Sequence, residues 1–246
     1  MDFKELENYR LADAVKFHQQ LNPSLWGDDE HLLPEVKEQL LKIAQDFQEF
    51  LGISDLSVED ITVSGSNAAY AYTDSSDIDL HLVVDLPQAD ASEVYRELFD
   101  AKKYQYNDQH NFTIRGHEVE LYVQNSNEKH ISQVIYSLLN NNWVKVPSRK
   151  KPVIDDISVA SKYQDLSRRI ENAVASNDQQ QIESLSKKIS QMRKTGLAKT
   201  GEFGPENLAF KLLRKNGDLD HLRSARLAAK DQEMSLQEKQ KKKIKW

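Results

Sequence analysis

The sequence predicts an α+β fold in which a mixed sheet backed by helices is followed by an all-helical C-terminal domain. Three observations carry this. Short apolar and alternating runs (Ile61-Thr62-Val63, Ile78 to Val84, and Phe112 to Val123) gather within residues 58–125, with helical spacing before and between them. Beyond residue 152 the apolar residues recur at helical spacing. The charge also changes sign along the chain. Residues 1–147 hold 11 Lys+Arg against 26 Asp+Glu, net -15, and residues 148–246 hold 22 against 13, net +9. Such asymmetry suggests two parts with different partners, a domain over 1–147 and a basic helical one over 148–246. At 246 residues the chain is long enough for two such domains, each with a core.

Taken in order, Leu6, Tyr9, Leu11, Ala12, Val15 and Phe17 give an imperfect amphipathic pattern and predict a first helix. Leu21-Asn22-Pro23-Ser24-Leu25-Trp26-Gly27 breaks it, with Trp26 read as a core anchor. Leu33-Pro34 opens a clearer helix whose Val36, Leu40, Ile43 and Phe47 share a face before Gly52 closes it. Both helices are assigned to packing against the sheet.

The next stretch, Ser64-Gly65-Ser66-Asn67 through Ser76-Asp77-Ile78-Asp79-Leu80-His81, reads as a strand end, a tight Gly-Ser turn and a strand opening with Asp-x-Asp. Strand side chains alternate faces, so Asp77 and Asp79 point the same way. Two carboxylates that close repel each other, and burial raises their pKa unless positive charge lies between them. A hard divalent cation with oxygen ligands answers this, most often magnesium. Bare N–H groups and a hydroxyl at Gly65-Ser66 suit a phosphate.

Gly65, Ser66, ten intervening residues, then Asp77-Ile78-Asp79 and an apolar run resemble the signature of the polymerase-beta-type nucleotidyltransferase superfamily. Val63 stands one residue further back than that pattern has it, because Ser64 intervenes. The resemblance covers roughly residues 58–125. It implies a nucleotidyltransferase-type sheet and an NTP substrate, ATP or CTP. It further implies two Mg2+ ions, with Mn2+ as a substitute, held by Asp77, Asp79 and a third carboxylate, and Gly65 and Ser66 gripping the β- and γ-phosphates. The third acid must come from a later strand. In Phe112 to Val123, a hairpin about Arg115-Gly116, Glu118 and Glu120 share one face. Glu120, between Val119 and Leu121, matches the family's apolar-acid-apolar pattern best, and Glu118 is the runner-up.

Between these acids, Ala91 to Ala101 predicts a helix with Val94, Leu98 and Ala101 as its buried stripe and Asp90 or Ser92 as cap. His81 falls on the side of the acids and is read as a partly buried strand histidine. His110, His117 and His130 show no transition-metal spacing and are read as surface or hairpin residues. Ile131 to Leu139 predicts a short helix, and Ser148-Arg149-Lys150-Lys151-Pro152 an exposed linker.

Beyond the linker, Val159, Tyr163, Leu166, Ile170 and Ala173 form one stripe and Ile182, Leu185, Ile189 and Met192 a second, giving a helical hairpin. A glycine-rich loop is expected over Thr195 to Pro205. Its Gly196-x4-Gly201 spacing is not a phosphate-binding loop, since Glu202 stands where Lys is required and no strand precedes it. Pro205 starts a helix that Asn216-Gly217 ends, and a last helix runs through Leu222, Ala225 and Ala229 into a basic tail, Lys239 to Trp246. Arg193, Lys194, Lys199, Lys211, Arg214 and Lys215 cluster around the loop; Lys199, Lys211, Arg214 and Lys215 are the expected phosphate contacts.

With no cysteine, thiol chemistry and disulfides are excluded. No apolar run approaches a membrane span and Met1-Asp2-Phe3-Lys4-Glu5 is no signal peptide, so a cytoplasmic protein is expected. The resemblance and the basic half together suggest NMP transfer to an RNA 3′ end. Nucleotidylation of a protein or small molecule, or a non-catalytic nucleic-acid clamp on the same fold, are the alternatives. Gly201 to Asn207 and Val119 to Val123 also look like pieces of uncharacterised phage-borne nucleotidyltransferases.

Overall fold

Strand β1 (Val58–Ser64) is rich in β-branched residues (Val58, Ile61, Thr62 and Val63), and its last three residues are buried between its two neighbours in the sheet. The computed structural model describes residues 9–52, 57–85, 91–128, 130 and 132–235, and these form two compact units. The predicted Asp90 cap, Leu6 and the basic tail Lys239 to Trp246 lie outside the described residues, as does the side chain of Ser92.

One unit spans Val15–Lys151. Its six strands, β1, β2 (Ile78–Val84), β3 (Thr113–Ile114), β4 (His117–Asn125), β5 (Ile135–Ser137) and β6 (Asn142–Lys145), form one mixed sheet in the order β3-β4-β2-β1-β5-β6. β1 pairs antiparallel with β2 and β5, while β2 and β4 run parallel. Alternation decides which face is covered. Ile78, Leu80, Leu82 and Val84 of β2, with Val119 and Leu121 of β4, are buried in the same core as Leu40, Ile43 and Phe47 of α2 (Pro34–Leu51). Phe99 and Tyr106 of α3 (Ala91–Gln109) complete it. The alternate residues of β2 and β4 are thereby left on the opposite face, where the acids stand. α2 has the predicted boundaries and stripe: Pro34 occupies its first turn and Gly52 closes it at φ 66.

Expectations fail at three elements. α3 runs to Gln109, past Ala101, and buries Phe99 and Tyr106 rather than Val94, which is 67% exposed, or Leu98 and Ala101. Aromatic rings remove more area from water than Val or Ala, so they set the helix's rotation. Residues 135–137 form a strand where a helix was expected, because Ile135, Tyr136 and Ser137 pair with the free edge of β1 and are buried on both faces. The first helix shrinks to one turn, α1 (Leu11–Ala14); Phe17 instead bridges Ala71, and the His18 amide donates to the Tyr70 carbonyl at 2.7 Å. Trp26 is a core anchor as expected, stacked on Trp143 at 4.8 Å and edge-on to Tyr136 at 5.0 Å. Arg149, read as linker, lies over the Tyr70 ring at 4.9 Å and is ion-paired to Glu30.

The other unit joins residues 9–14, which the sequence placed with the sheet, to residues 152–235. Its helices are α1, α4 (Asp156–Ser176), α5 (Gln179–Thr200), α6 (Pro205–Lys215) and α7 (Asp218–Met234). Asp155 caps α4, accepting from the Ser158 amide at 3.1 Å, and Asp178 caps α5, accepting from the Gln180 and Gln181 amides. The stripes are buried as read, with Met192 half-buried. The glycine-rich loop is mostly absent, since α5 continues through Gly196 to Thr200. Gly196 lets α6 approach: a Cβ there would stand 2.4 Å from Cβ of Glu206. Gly196→Ala is therefore expected to destabilise this unit by about 1–3 kcal/mol, as overpacked contacts do, readable as a fall in Tm; an unchanged Tm would show that the helices separate freely.

Candidate active site

Register brings the acids together. In the parallel pair, Asp79 stands opposite Glu120 and His81 opposite Tyr122; across the antiparallel pair, Asp79 stands opposite Ser64 and His81 opposite Thr62. Residues directly opposite share a face, so Asp79 and Glu120 form one row and His81 and Tyr122 the next. Asp77 lies just before β2, two residues before Asp79, and its charge reaches the Tyr122 hydroxyl. Glu118 is exposed, two residues further back along β4. Of the two Glu residues, Glu120 is the one adjacent to Asp79.

Gly65 ends β1 at φ 80 and ψ -165, a conformation open essentially to glycine alone. A Cβ there would lie 1.8 Å from Oδ2 of Asp79, so the Asp79 carboxylate is seated directly against the Gly65 backbone. Ser66 begins a single 3-10 turn, Ser66–Ala68, and its hydroxyl donates to Ser76 Oγ at 2.9 Å.

The Tyr122 hydroxyl reports on the acids electrostatically. It donates to Oε2 of Glu120 at 2.5 Å. Burial first, then the charges of Asp79, Glu120 and Asp77 push it well above the ordinary phenol range. Beside it His81 stacks on the Tyr122 ring at 4.9 Å and shares a 3.0 Å hydrogen bond between Nε2 and Ser64 Oγ. Burial, followed by the nearby His130 and Lys103, drives His81 down to about 3, so it is neutral near pH 7. His130, read as a surface residue, is half-buried with its ring 4.9 Å from that of His81. Lys103 of α3 sits 5.0 Å over the Tyr122 ring.

A buried polar network fixes the turn and the strand that carry these groups. Asn67, fully buried, donates through Nδ2 to the carbonyls of Ser76 at 2.7 Å and Asp77 at 3.1 Å. Its Oδ1 accepts from Asn22 Nδ2 at 3.0 Å, and its carbonyl accepts from Trp26 Nε1 at 2.7 Å. Asn22 Nδ2 also reaches His117 Nε2 at 2.9 Å, and His117 Nδ1 lies 2.8 Å from the Ser76 carbonyl. A carbonyl only accepts, so Nδ1 carries the proton and Nε2 accepts from Asn22. His117, read as a surface or hairpin residue, does stand in the β3–β4 hairpin but is buried there. Asn67→Ala is expected to leave two buried carbonyls without this donor and cost about 2–4 kcal/mol, measurable as a lowered urea midpoint; a shift below about 0.5 kcal/mol would show the carbonyls well hydrated.

Among the described residues, no three Asp, Glu or His side chains stand close enough together to hold a metal ion as they are. Lys199 lies in the last turn of α5, and Lys211, Arg214 and Lys215 lie in the last two turns of α6, so all four belong to the helical unit. There Arg193 lies 4.3 Å over the Phe210 ring, and Glu202 is pushed up by burial despite the opposing charge of Lys211.

Sequence reasoning missed Tyr122, Lys103, Asn22, Asn67 and the roles of His117 and Ser76. Tyr122 had a usable signal, since alternation puts it on the face of Glu120. Asn22, His117 and Lys103 had none, because their partners lie far away in sequence. No family model matches the chain, and neither a curated protein nor a solved structure matches it.

Proposed function

We propose that the chain is a metal-dependent nucleotidyltransferase of the polymerase-beta type, transferring NMP from ATP or CTP to an acceptor hydroxyl in the cytoplasm. The observation that supports it most is the seat of Asp79, opposite Glu120 across two parallel strands and pressed against Gly65 at the end of β1.

The chemistry of the donors suits a hard divalent cation, since Asp77, Asp79 and Glu120 offer only oxygens and all three act on the Tyr122 hydroxyl, although their carboxylates would have to draw together to share an ion. Asp77, Asp79 and Glu120 would hold Mg2+ or Mn2+, which supplies Lewis acidity to the acceptor hydroxyl and to the departing pyrophosphate. The chain's own groups do the rest. Gly65 and Ser66 offer an N–H group and a hydroxyl to the β- and γ-phosphates, and Lys103 adds a cation beside the acids. The acceptor oxygen bonds to the α-phosphorus as the bond to the bridging oxygen breaks. That electron pair leaves with pyrophosphate, and the hydroxyl proton passes to water. Tyr122 keeps Glu120 oriented by its hydrogen bond until a ligand displaces it.

Incubation with each α-labelled NTP, magnesium and a total cell extract tests this. Label transferred by the native chain and lost in Asp79→Ala is the expected result; no transfer with any NTP would end the proposal. Magnesium plus NTP at a hundredfold excess over Kd is also expected to stabilise the fold by about 2.7 kcal/mol, raising Tm by several degrees. A second reading, an RNA clamp without catalysis, draws on the net charge of +9 over residues 148–246. Stabilisation by RNA alone, steeply weakened by salt, would favour it.

A further inference from the structure

Among the described residues, four buried side-chain polar atoms have no hydrogen-bond partner, and three of them come from neighbouring side chains: Thr62 Oγ1, His81 Nδ1 and His130 Nε2. Thr62 and His81 stand directly opposite each other on β1 and β2, on the face of the acids, and the His130 ring is 4.9 Å from that of His81. The segment that carries His130 is tied down. Lys145 of β6 donates to the His130 and Ser132 carbonyls at 3.1 and 2.9 Å. The Ser132 amide donates to His130 Nδ1 at 3.1 Å, so that nitrogen is an acceptor and the ring proton lies on Nε2.

We infer that Thr62, His81 and His130 hold one internal water, and that this water orders a one-way chain of hydrogen bonds ending on Asp79. Buried waters commonly make about three hydrogen bonds to polar groups that have no other partner. Here the water accepts from His130 Nε2 and donates its two protons to His81 Nδ1 and Thr62 Oγ1. All three atoms are then paired. With Nδ1 accepting, the single proton of the neutral His81 ring lies on Nε2 and is donated to Ser64 Oγ, 3.0 Å away. Ser64, already an acceptor from His81, turns its own hydroxyl proton to Asp79, the residue directly opposite it. The reverse order fails. His81 and His130 would both donate to the water, and one water proton would be left buried without an acceptor. His130, His81 and Ser64 are therefore positioning residues, which orient the Asp79 carboxylate beside its contact with Gly65. Their positioning role rests on the nucleotidyl-transfer reading and deepens it, whereas the water and the chain of hydrogen bonds do not depend on it.

Nitrogen NMR spectra of the full-length chain, labelled at histidine, test the chain of hydrogen bonds without any nucleotide. At neutral pH His81 and His130 are each expected to carry their proton on Nε2, and the His130 Nε2 proton is expected to give a cross-peak to a long-lived water. A proton on Nδ1 of His81, or no bound water beside His130, would overturn the inference. These native spectra decide the matter even where a variant does not fold. His130→Phe removes the donor at the head of the chain and is expected to lower turnover about tenfold, the scale of one hydrogen bond, with KM for NTP little changed. Ser64→Ala cuts the same chain nearer to Asp79 and is expected to cost a similar factor. Because both act through one chain, the double variant is expected to lose no more than either alone, whereas independent effects would multiply to about a hundredfold. Losses that multiply, or full turnover in a folded His130→Phe protein, would defeat the positioning role. Both protons on Nε2 and the water in place, with no transfer from any NTP, defeats the enzymatic reading and the positioning role with it, while the chain of hydrogen bonds stands.

Discussion

Asp79→Ala is expected to lower nucleotidyl transfer by on the order of 10^3-fold or more, about 4 kcal/mol of barrier, with Tm within a few degrees of the native chain. Asp79 stands in the middle of the row, opposite Glu120 on β4 and Ser64 on β1. Its carboxylate lies on the open face, while Ile78 and Leu80 on either side anchor the strand in the core. Removal therefore deletes charge from the site without opening a cavity in the core, and cavities are what make large-to-small changes costly. Asp77→Ala is expected to behave alike, because its charge, like that of Asp79, acts on the Tyr122 hydroxyl. Steady-state transfer assays beside thermal melts separate the two readouts. An Asp79→Ala protein that melts normally and keeps more than about a tenth of native transfer would remove Asp79 from the chemistry.

Gly65→Ala is expected to lose transfer by about 10^2-fold or more, the scale on which a misplacement near 1 Å is felt. The methyl group would enter within 1.8 Å of Asp79 Oδ2, so either the carboxylate or the turn must move. The backbone opposes the change as well, because φ 80 with ψ -165 costs a residue with a Cβ about 1–3 kcal/mol. Stability and activity thus fall together, unlike in Asp79→Ala, and that contrast is the diagnostic. Refolding with unchanged transfer would mean that Asp79 is not held where its contact with Gly65 places it. Ser66→Ala, in the same turn, removes the hydroxyl offered to the phosphates and its hydrogen bond to Ser76 but leaves the Gly65–Asp79 contact intact, so it is expected to lose less transfer than Gly65→Ala.

Local chemistry made some of the architecture readable and hid the rest. α2 and α4 to α7 were legible because their stripes and end residues act within a few turns: Gly52 at φ 66, and Pro205 at a first turn. β2 was legible from strict alternation. The strand at 135–137 was not, because Val134 to Leu138 is buried on every side and a continuous apolar run carries no period. The burial of α3 was misread for a related reason. Its face is chosen by Phe99 and Tyr106 fitting against α2, a choice its own spacing leaves open. At Gly196 the glycine suggested a loop, whereas its role is the close approach of Glu206 within a helix pair.

By itself, the sequence determined that Asp79 alternates with the apolar Ile78 and Leu80, that Gly65 follows the preceding strand, and that a basic helical half follows an acidic mixed one. Those are consequences of a two-residue period, of a missing Cβ and of charge count. Only the tertiary structure decided that Glu120 rather than Glu118 stands opposite Asp79, that Tyr122 reaches into the acids, and that Asn22 and His117 hold the turn from below. Strand order, register and buried hydrogen bonds join residues tens of positions apart, and no local period encodes which of several compatible partners will meet.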